Sequence, residues 1–201
     1  MTVKNNVLSE EQIASDFDSV YALIESIKNE KRKNQLTFFF EQIGENYFSA
    51  PASSRADYHD SCVGGLANHS LQVLKNFNAI CKLWGQDISK DSIITCALTH
   101  DSGKAETVDK KPIYLEETEK WKLNKGVVYY YNPDIRDGLT HAQRSVRLLS
   151  HYGVELTNDE YLAILAHDFL FVDENIVFKT KLNRLGYLLH FADVWTVMGR
   201  K

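Results

Sequence analysis

His100-Asp101 stands at the end of the apolar run Ile93-Ile94-Thr95-Cys96-Ala97-Leu98-Thr99, with Ser102-Gly103-Lys104 behind it. The imidazole offers one neutral nitrogen and the carboxylate two oxygens. Near a helix end both can reach one cation, and the carboxylate can bridge two. Gly103 offers a helix stop, and Lys104 follows it. The dipeptide alone is weak evidence. Seven His and 14 Asp among 201 residues give about half of one such pair by chance, and the chain has three: His59-Asp60, His100-Asp101 and His167-Asp168.

Other side chains join it when the chain is read in helical register. His69 follows Leu66 by three residues and precedes Val73 by four, on a stripe continued by Leu74, Phe77, Ile80, Cys81 and Trp84. Gly64-Gly65 lets the backbone turn tightly before that helix, and Gly85 closes it. Thr140 precedes a helix whose inward stripe is His141, Ser145, Leu148 and Tyr152. Thr157-Asn158-Asp159-Glu160 signals another start, leading through Tyr161, Ile164 and Leu165 to His167. The last helix spans about Lys181 to Met198, with Leu182, Leu185, Leu189, Ala192 and Asp193 on one face. A carboxylate on such a face is costly unless it is paired or bound to metal.

One inward histidine is ordinarily a satisfied core residue. His69, His100-Asp101, His141, His167 and Asp193 all directed inward favour a cation site instead. Nitrogen and carboxylate oxygen without thiolate suit Mn, Fe, Ni, Co or Zn, with Mg admissible, and disfavour structural zinc.

The remaining elements read as support. Ser9-Glu10-Glu11-Gln12 resembles a capping box opening a helix with Ile13, Phe17, Val20, Tyr21 and Ile24 on one face. A second helix from about Lys31 to Phe48 sends Phe38, Phe39 and Phe40 to the core. Ser89 or Asp91 caps the helix that ends at His100-Asp101. Residues 105–137 read as an insertion or flap, in which Trp121-Lys122-Leu123 pairs with Val127-Val128-Tyr129-Tyr130-Tyr131 across the turn Asn124-Lys125-Gly126. Tyr114 and the residues from Trp121 to Tyr131 could stack a base.

Composition bounds the rest. With 44% hydrophobic and 25% charged residues the chain is an ordinary globular one, most simply a single domain over 1–201, with 1–49 a helical scaffold and 50–198 the core. A net charge of -4 argues against a protein that coats nucleic acid. Cys62, Cys81 and Cys96 are odd in number and form no Cys-x-x-Cys pair, so they read as reduced thiols. Met1-Thr2-Val3-Lys4-Asn5-Asn6 lacks a signal-peptide apolar region, and no run reaches the roughly 20 apolar residues of a membrane span. The expectation is a soluble cytoplasmic protein.

The order His69, His100-Asp101, Asp193 resembles the HD-domain superfamily of metal-dependent phosphohydrolases, whose pattern is His … His-Asp … Asp. The match covers about Ala50 to Met198. Ala50-Pro51-Ala52-Ser53, Tyr58-His59, Gly64-Gly65-Leu66, His69-Ser70 and His100-Asp101-Ser102-Gly103-Lys104 are similar to a bacterial and phage branch that includes HD-domain exoribonucleases and the HD domain of some plasmid relaxases. The resemblance implies an all-α bundle of the HD-domain, PDEase-like type, carrying a small β-hairpin insertion. It implies a first metal on His69, His100, Asp101 and Asp193, and a second on His141 and His167 with Asp101 bridging. Two-metal members often carry His-His where this chain has His167-Asp168; Asp168 could replace a ligand or orient His167. The exoribonucleases also carry a nucleic-acid-binding module that this chain lacks, which makes long RNA a poor candidate substrate.

The activity implied is hydrolysis of a nucleotide phosphoester, a phosphodiester or cyclic nucleotide first, by a metal-activated hydroxide. A single-metal nucleotide phosphomonoesterase or triphosphohydrolase is the alternative within the class. A non-catalytic nucleotide-binding protein or phage or mobile-element accessory is the alternative outside it. Asp101 is the central catalytic candidate. Lys104 could hold a phosphate oxygen, His59 could act as a substrate-side acid or hydrogen-bond donor, and Arg144 could contact a second phosphate. The partners expected are a small nucleotide or short nucleic acid and a second copy of the chain, with no membrane.

Overall fold

The computed structural model describes residues 7–169 and 172–199; the stretch Met1–Asn6 lies outside them. The chain folds as helices with one small sheet: α1 (Glu10–Glu25), α2 (Glu30–Ser49), α3 (Gly65–Leu83), α4 (Lys90–Thr99), a 3₁₀ turn (Ser102–Lys104), β1 (Tyr114–Glu116), α5 (Lys120–Leu123), β2 (Tyr129–Tyr131), α6 (His141–His151), α7 (Asn158–Leu165), a second 3₁₀ segment (Asp173–Phe178) and α8 (Arg184–Met198). This is the all-α architecture with a small β-hairpin that the periodicity predicts. Among the described residues no helix is long and apolar enough to cross a membrane.

Local sequence sets the helix starts. Ser9 accepts from the Gln12 N–H at α1, and Asn29 accepts from Arg32 at α2. Thr140/Gln143 and Thr157/Glu160 form reciprocal capping boxes at α6 and α7. Each satisfies N–H groups that a helix otherwise leaves without partners.

One apolar core runs from Val20 and Ile24 of α1, through Phe39, Phe40 and Ile43 of α2 and Phe77 of α3, to Leu188 and Leu189 of α8. Full burial of each such side chain contributes about 1.5–3 kcal/mol. The scaffold helices α1 and α2 therefore share their core with the helices that carry the His and Asp side chains.

Three expectations change. Phe38 is 48% exposed while Phe39 and Phe40 are fully buried, because consecutive residues on a helix point about 100° apart and three in a row cannot all face inward. Trp84, one residue past the end of α3, is 51% exposed and stands edge-on to Phe191. The hairpin exists, but its first strand is Tyr114–Glu116, with Tyr114 opposite Tyr131 and Glu116 opposite Tyr129. Trp121–Leu123 instead belongs to α5, within the connection between the strands. Its start is set by Glu117, whose buried carboxylate accepts from the N–H groups of Thr118 and Glu119 and pairs with Lys122. All three cysteines are buried and form no disulfide among the described residues.

Candidate metal centre

Five parts of the fold meet at one place. α3 brings His69, the end of α4 brings His100 and Asp101, the first residue of α6 is His141, the turn after α7 carries His167 and Asp168, and α8 brings Asp193. Gly64 and Gly65 make the entry to α3 achievable. Gly64 has φ +79°, and a Cβ on Gly65 would lie 2.0 Å from the Asp60 carbonyl oxygen. Beside His69, Asn68 donates to Asp16 of α1 at 2.9 Å, which ties the scaffold to the start of α3.

Asp101 is central. Its Oδ2 lies 3.5 Å from both His69 Nε2 and His100 Nε2. Its Oδ1 lies 3.3 Å from His141 Nε2 and 3.4 Å from His167 Nε2. His69 Nε2 is also 3.1 Å from Asp193 Oδ1. Three donor sets have their atoms within 4.8 Å of one another: His69, His100 and Asp101; His100, His167 and Asp193; Asp101, His141 and His167. These buried His and Asp side chains could hold a metal ion.

The hydrogen bonds behind the rings orient them for this. His100 Nδ1 is 2.9 Å from the Ala97 carbonyl oxygen, and His167 Nδ1 is 2.8 Å from that of Ile164. A carbonyl only accepts, so each Nδ1 carries a proton, and the neutral His100 ring turns a bare Nε2 lone pair to the centre. His100 Nε2 and Asp101 Oδ1 are buried and have no hydrogen-bond partner. Such orphaned acceptors are costly in an interior and fit a cation.

Burial lowers His100 to about 4, against the pull of Asp101, so its ring is neutral. Burial also opposes charge on Asp101, but Lys104 and His100 outweigh it and hold the carboxyl well below its usual range. Asp193 is held low against burial by His69, and Asp168 is lowered to about 2 against burial by His167 and His141. His167 is raised to about 9: burial opposes its charge, and Asp168 followed by Asp101 overcomes it.

The remaining predicted residues separate. Lys104 is at the centre, with Nζ 2.7 Å from Asp101 Oδ2 and a side chain 15% exposed. Burial opposes its charge, and Asp101 more than restores it. His59 packs beside His69, ring centroids 4.8 Å apart, and its Nε2 has no hydrogen-bond partner. Burial, then His69 and Lys104, lower its pKa to about 4. The ring is therefore neutral at physiological pH in this structure and can hydrogen-bond a neighbour.

Arg144 is engaged within the protein. It is 2% exposed. Its guanidinium forks onto Asp137 at 2.9 and 3.0 Å and also donates to the Gly103 and Leu139 carbonyls and the Tyr131 hydroxyl. It ties the flap to the turn behind Asp101. Trp121, offered for base stacking, is 57% exposed, with the Lys122 and Lys125 ammonium groups 5.6 and 5.0 Å from its ring centroid. The flap is sealed to the loop carrying His59 by hydrogen bonds from Ala56 to Gly126 and from Val128 to Ser54.

Two contributors escape a reading by motif. His190 Nδ1 lies 2.8 Å from the His167 carbonyl oxygen, steadying the turn that carries His167. It sits three residues before Asp193, and that helical spacing was its signal. Ser145 was placed on an inward stripe, but its polar role at the centre was not. A groove of about 660 Å³ between α6 and α7 includes none of the cluster. A smaller cavity of about 240 Å³, lined by Thr140, Asp168, Asn175 and Phe178 among others, adjoins it at Asp168.

No protein-family model, curated protein or solved structure matches the chain. What the fold and site define by themselves is an all-α bundle with a small hairpin and a buried imidazole-carboxylate cluster fit for a metal ion.

Proposed function

We propose that this chain is a metal-dependent phosphohydrolase of the HD-domain type that cleaves a phosphoester of a nucleotide, a phosphodiester or cyclic nucleotide above others. The observation that carries the reading is the two-sided setting of Asp101. One oxygen faces His69 and His100, and the other faces His141 and His167. A structural histidine cluster has no need of a shared, buried carboxylate with an orphaned oxygen. The motif order His69, His100-Asp101, Asp193 supports the same reading.

His69, His100, Asp193 and Asp101 Oδ2 would hold one divalent cation, of Mn, Fe, Ni, Co or Zn with Mg admissible. Asp101 Oδ1, His141 and His167 would hold a second. When bound, such cations supply a hydroxide nucleophile at neutral pH and neutralise charge on phosphoryl oxygen. The protein's own groups do the rest. The Lys104 ammonium stands on Asp101 and can hold a phosphate oxygen as a point charge. His59, neutral, can hydrogen-bond the substrate from the His69 side. His141, Asp168, Asp193 and Lys104, with side chains 25, 23, 16 and 15% exposed, form the way in.

The test is elemental analysis of the chain purified without chelator, together with phosphate release from a nucleotide panel in Mn²⁺. Two ions per chain with turnover of a diester supports the reading. One ion with turnover of monoesters or triphosphates moves it to a single-metal nucleotidase. No ion and no turnover with any divalent metal overturns it in favour of a binding protein.

A further inference from the structure

Asp168 stands on the open side of the cluster. Its Oδ2 is 3.1 Å from His141 Nε2, and its Oδ1 is 3.8 Å from His167 Nε2. Those two nitrogens are 3.2 Å apart, and the orphaned Asp101 Oδ1 lies 3.3 and 3.4 Å from them. Two imidazole nitrogens and oxygens from two carboxylates thus crowd around one point.

A carboxylate beside a ligand histidine can do one of two things. It can orient the ring from behind, accepting from the nitrogen that faces away from the metal. Or it can stand on the metal side and ligate. The back of His167 is already taken, since its Nδ1 donates to the Ile164 carbonyl. Asp168 instead addresses Nε2 of both rings, the nitrogens turned to Asp101. It is therefore on the ligand side.

We propose that Asp168 is a ligand of a second divalent cation, completing a two-nitrogen, two-carboxylate set with Asp101, His141 and His167. This rests on the binuclear reading above. The added carboxylate shifts the preference toward the harder ions Mn²⁺ and Fe²⁺.

The experiment is Mn²⁺ titration of the full chain by calorimetry, with electron paramagnetic resonance, for wild type, Asp168→Ala, Asp168→Asn and Asp193→Ala. Wild type should take up two Mn²⁺ and show a spin-coupled pair. Asp168→Ala should lose the coupled signal and bind the second ion more than about 100-fold more weakly, with affinity for the first unchanged. That unchanged first site also shows that the variant is folded. Asp168→Asn, which keeps shape but removes charge, should weaken the same site. Loss of an orienting residue costs about 10–100-fold, so a drop of about 100-fold or less for Asp168→Ala overturns the assignment while leaving the binuclear reading intact. Uptake of one Mn²⁺ by wild type overturns both.

Discussion

The Ser145 hydroxyl donates to the His100 carbonyl at 2.7 Å while accepting from the Gly103 N–H at 2.8 Å. One side chain of α6 thus clasps both ends of the turn that displays Asp101. Because α6 begins at His141, the clasp fixes His141 relative to His100 and Asp101. A further glycine makes the approach close. A Cβ on Gly103 would lie 2.1 Å from the His141 carbonyl oxygen and 2.6 Å from the Ser145 nitrogen. Gly103 is needed for this contact and not as a helix stop: its φ is not among the positive ones.

Gly103→Ala must therefore push α6 off the turn. We expect a loss of about 2–4 kcal/mol in urea unfolding, typical of overpacking that backbone must relieve. Ser145→Ala leaves the Gly103 N–H buried without its acceptor and should cost about 1–3 kcal/mol. Unchanged stability in both variants would mean that the clasp does not register the two helices.

Asp101→Asn keeps the side chain's shape and removes the charge facing four imidazoles and Lys104. Under the function proposed, the variant should lose both cations, and turnover should fall about 10³-fold or more. Metal content and kcat/KM, measured on the same folded sample, check it. Retained metal with lost turnover would limit Asp101 to a role toward substrate.

Arg144→Lys keeps a cation but cannot make the fork onto Asp137. The guanidinium joins Gly103, Tyr131, Asp137 and Leu139, so its loss should loosen the flap from the bundle. We expect about 3 kcal/mol of destabilisation and faster limited proteolysis between β2 and α6, with Mn²⁺ affinity unchanged. Intact stability with weakened competitive inhibition by phosphate would instead put Arg144 against substrate.

The contrast between Arg144 and His69 shows what a sequence exposes. His69 was legible because its neighbours on the stripe, Leu66 and Val73, lie in the same helix; Asp193 was legible from Leu189 and Ala192 in the same way. The boxes at Thr140 and Thr157 are local too. Arg144 had only its spacing from His141 to recommend it. Its acceptors come from the turn after α4, from β2 and from the irregular segment before α6, and no periodic pattern links them to Arg144. The hairpin erred for a related reason. Trp121–Leu123 has strand-like residues, but Glu117 starts a helical turn there, and the true partner Tyr114–Glu116 carries a charge and little pattern. Asp168 illustrates the limit within a motif: its position beside His167 was plain, but the face of the imidazole it addresses is a three-dimensional fact.

The scaffold is joined to the site-bearing helices by one buried ion pair, and that pair predicts an acid response. Arg32 of α2 forks onto Glu160 of α7 with both contacts at 3.0 Å, and also donates to Thr95 of α4. Burial opposes charge on Glu160, but the hydrogen bonds from Arg32 and from the Thr157 N–H outweigh it and lower its pKa. A carboxyl with a depressed folded pKa contributes stability that is fully present above its unfolded pKa of about 4.3 and lost as pH falls through the folded value. The wild-type urea midpoint should therefore drop between about pH 5 and pH 3. Glu160→Gln should be less stable at pH 7 by about 2 kcal/mol, and its midpoint should change less than wild type across that acid window. The difference between the two curves isolates Glu160, because the carboxylates of the metal centre titrate in both proteins. Parallel curves would show that the Arg32–Glu160 pair does not hold α2 to α7.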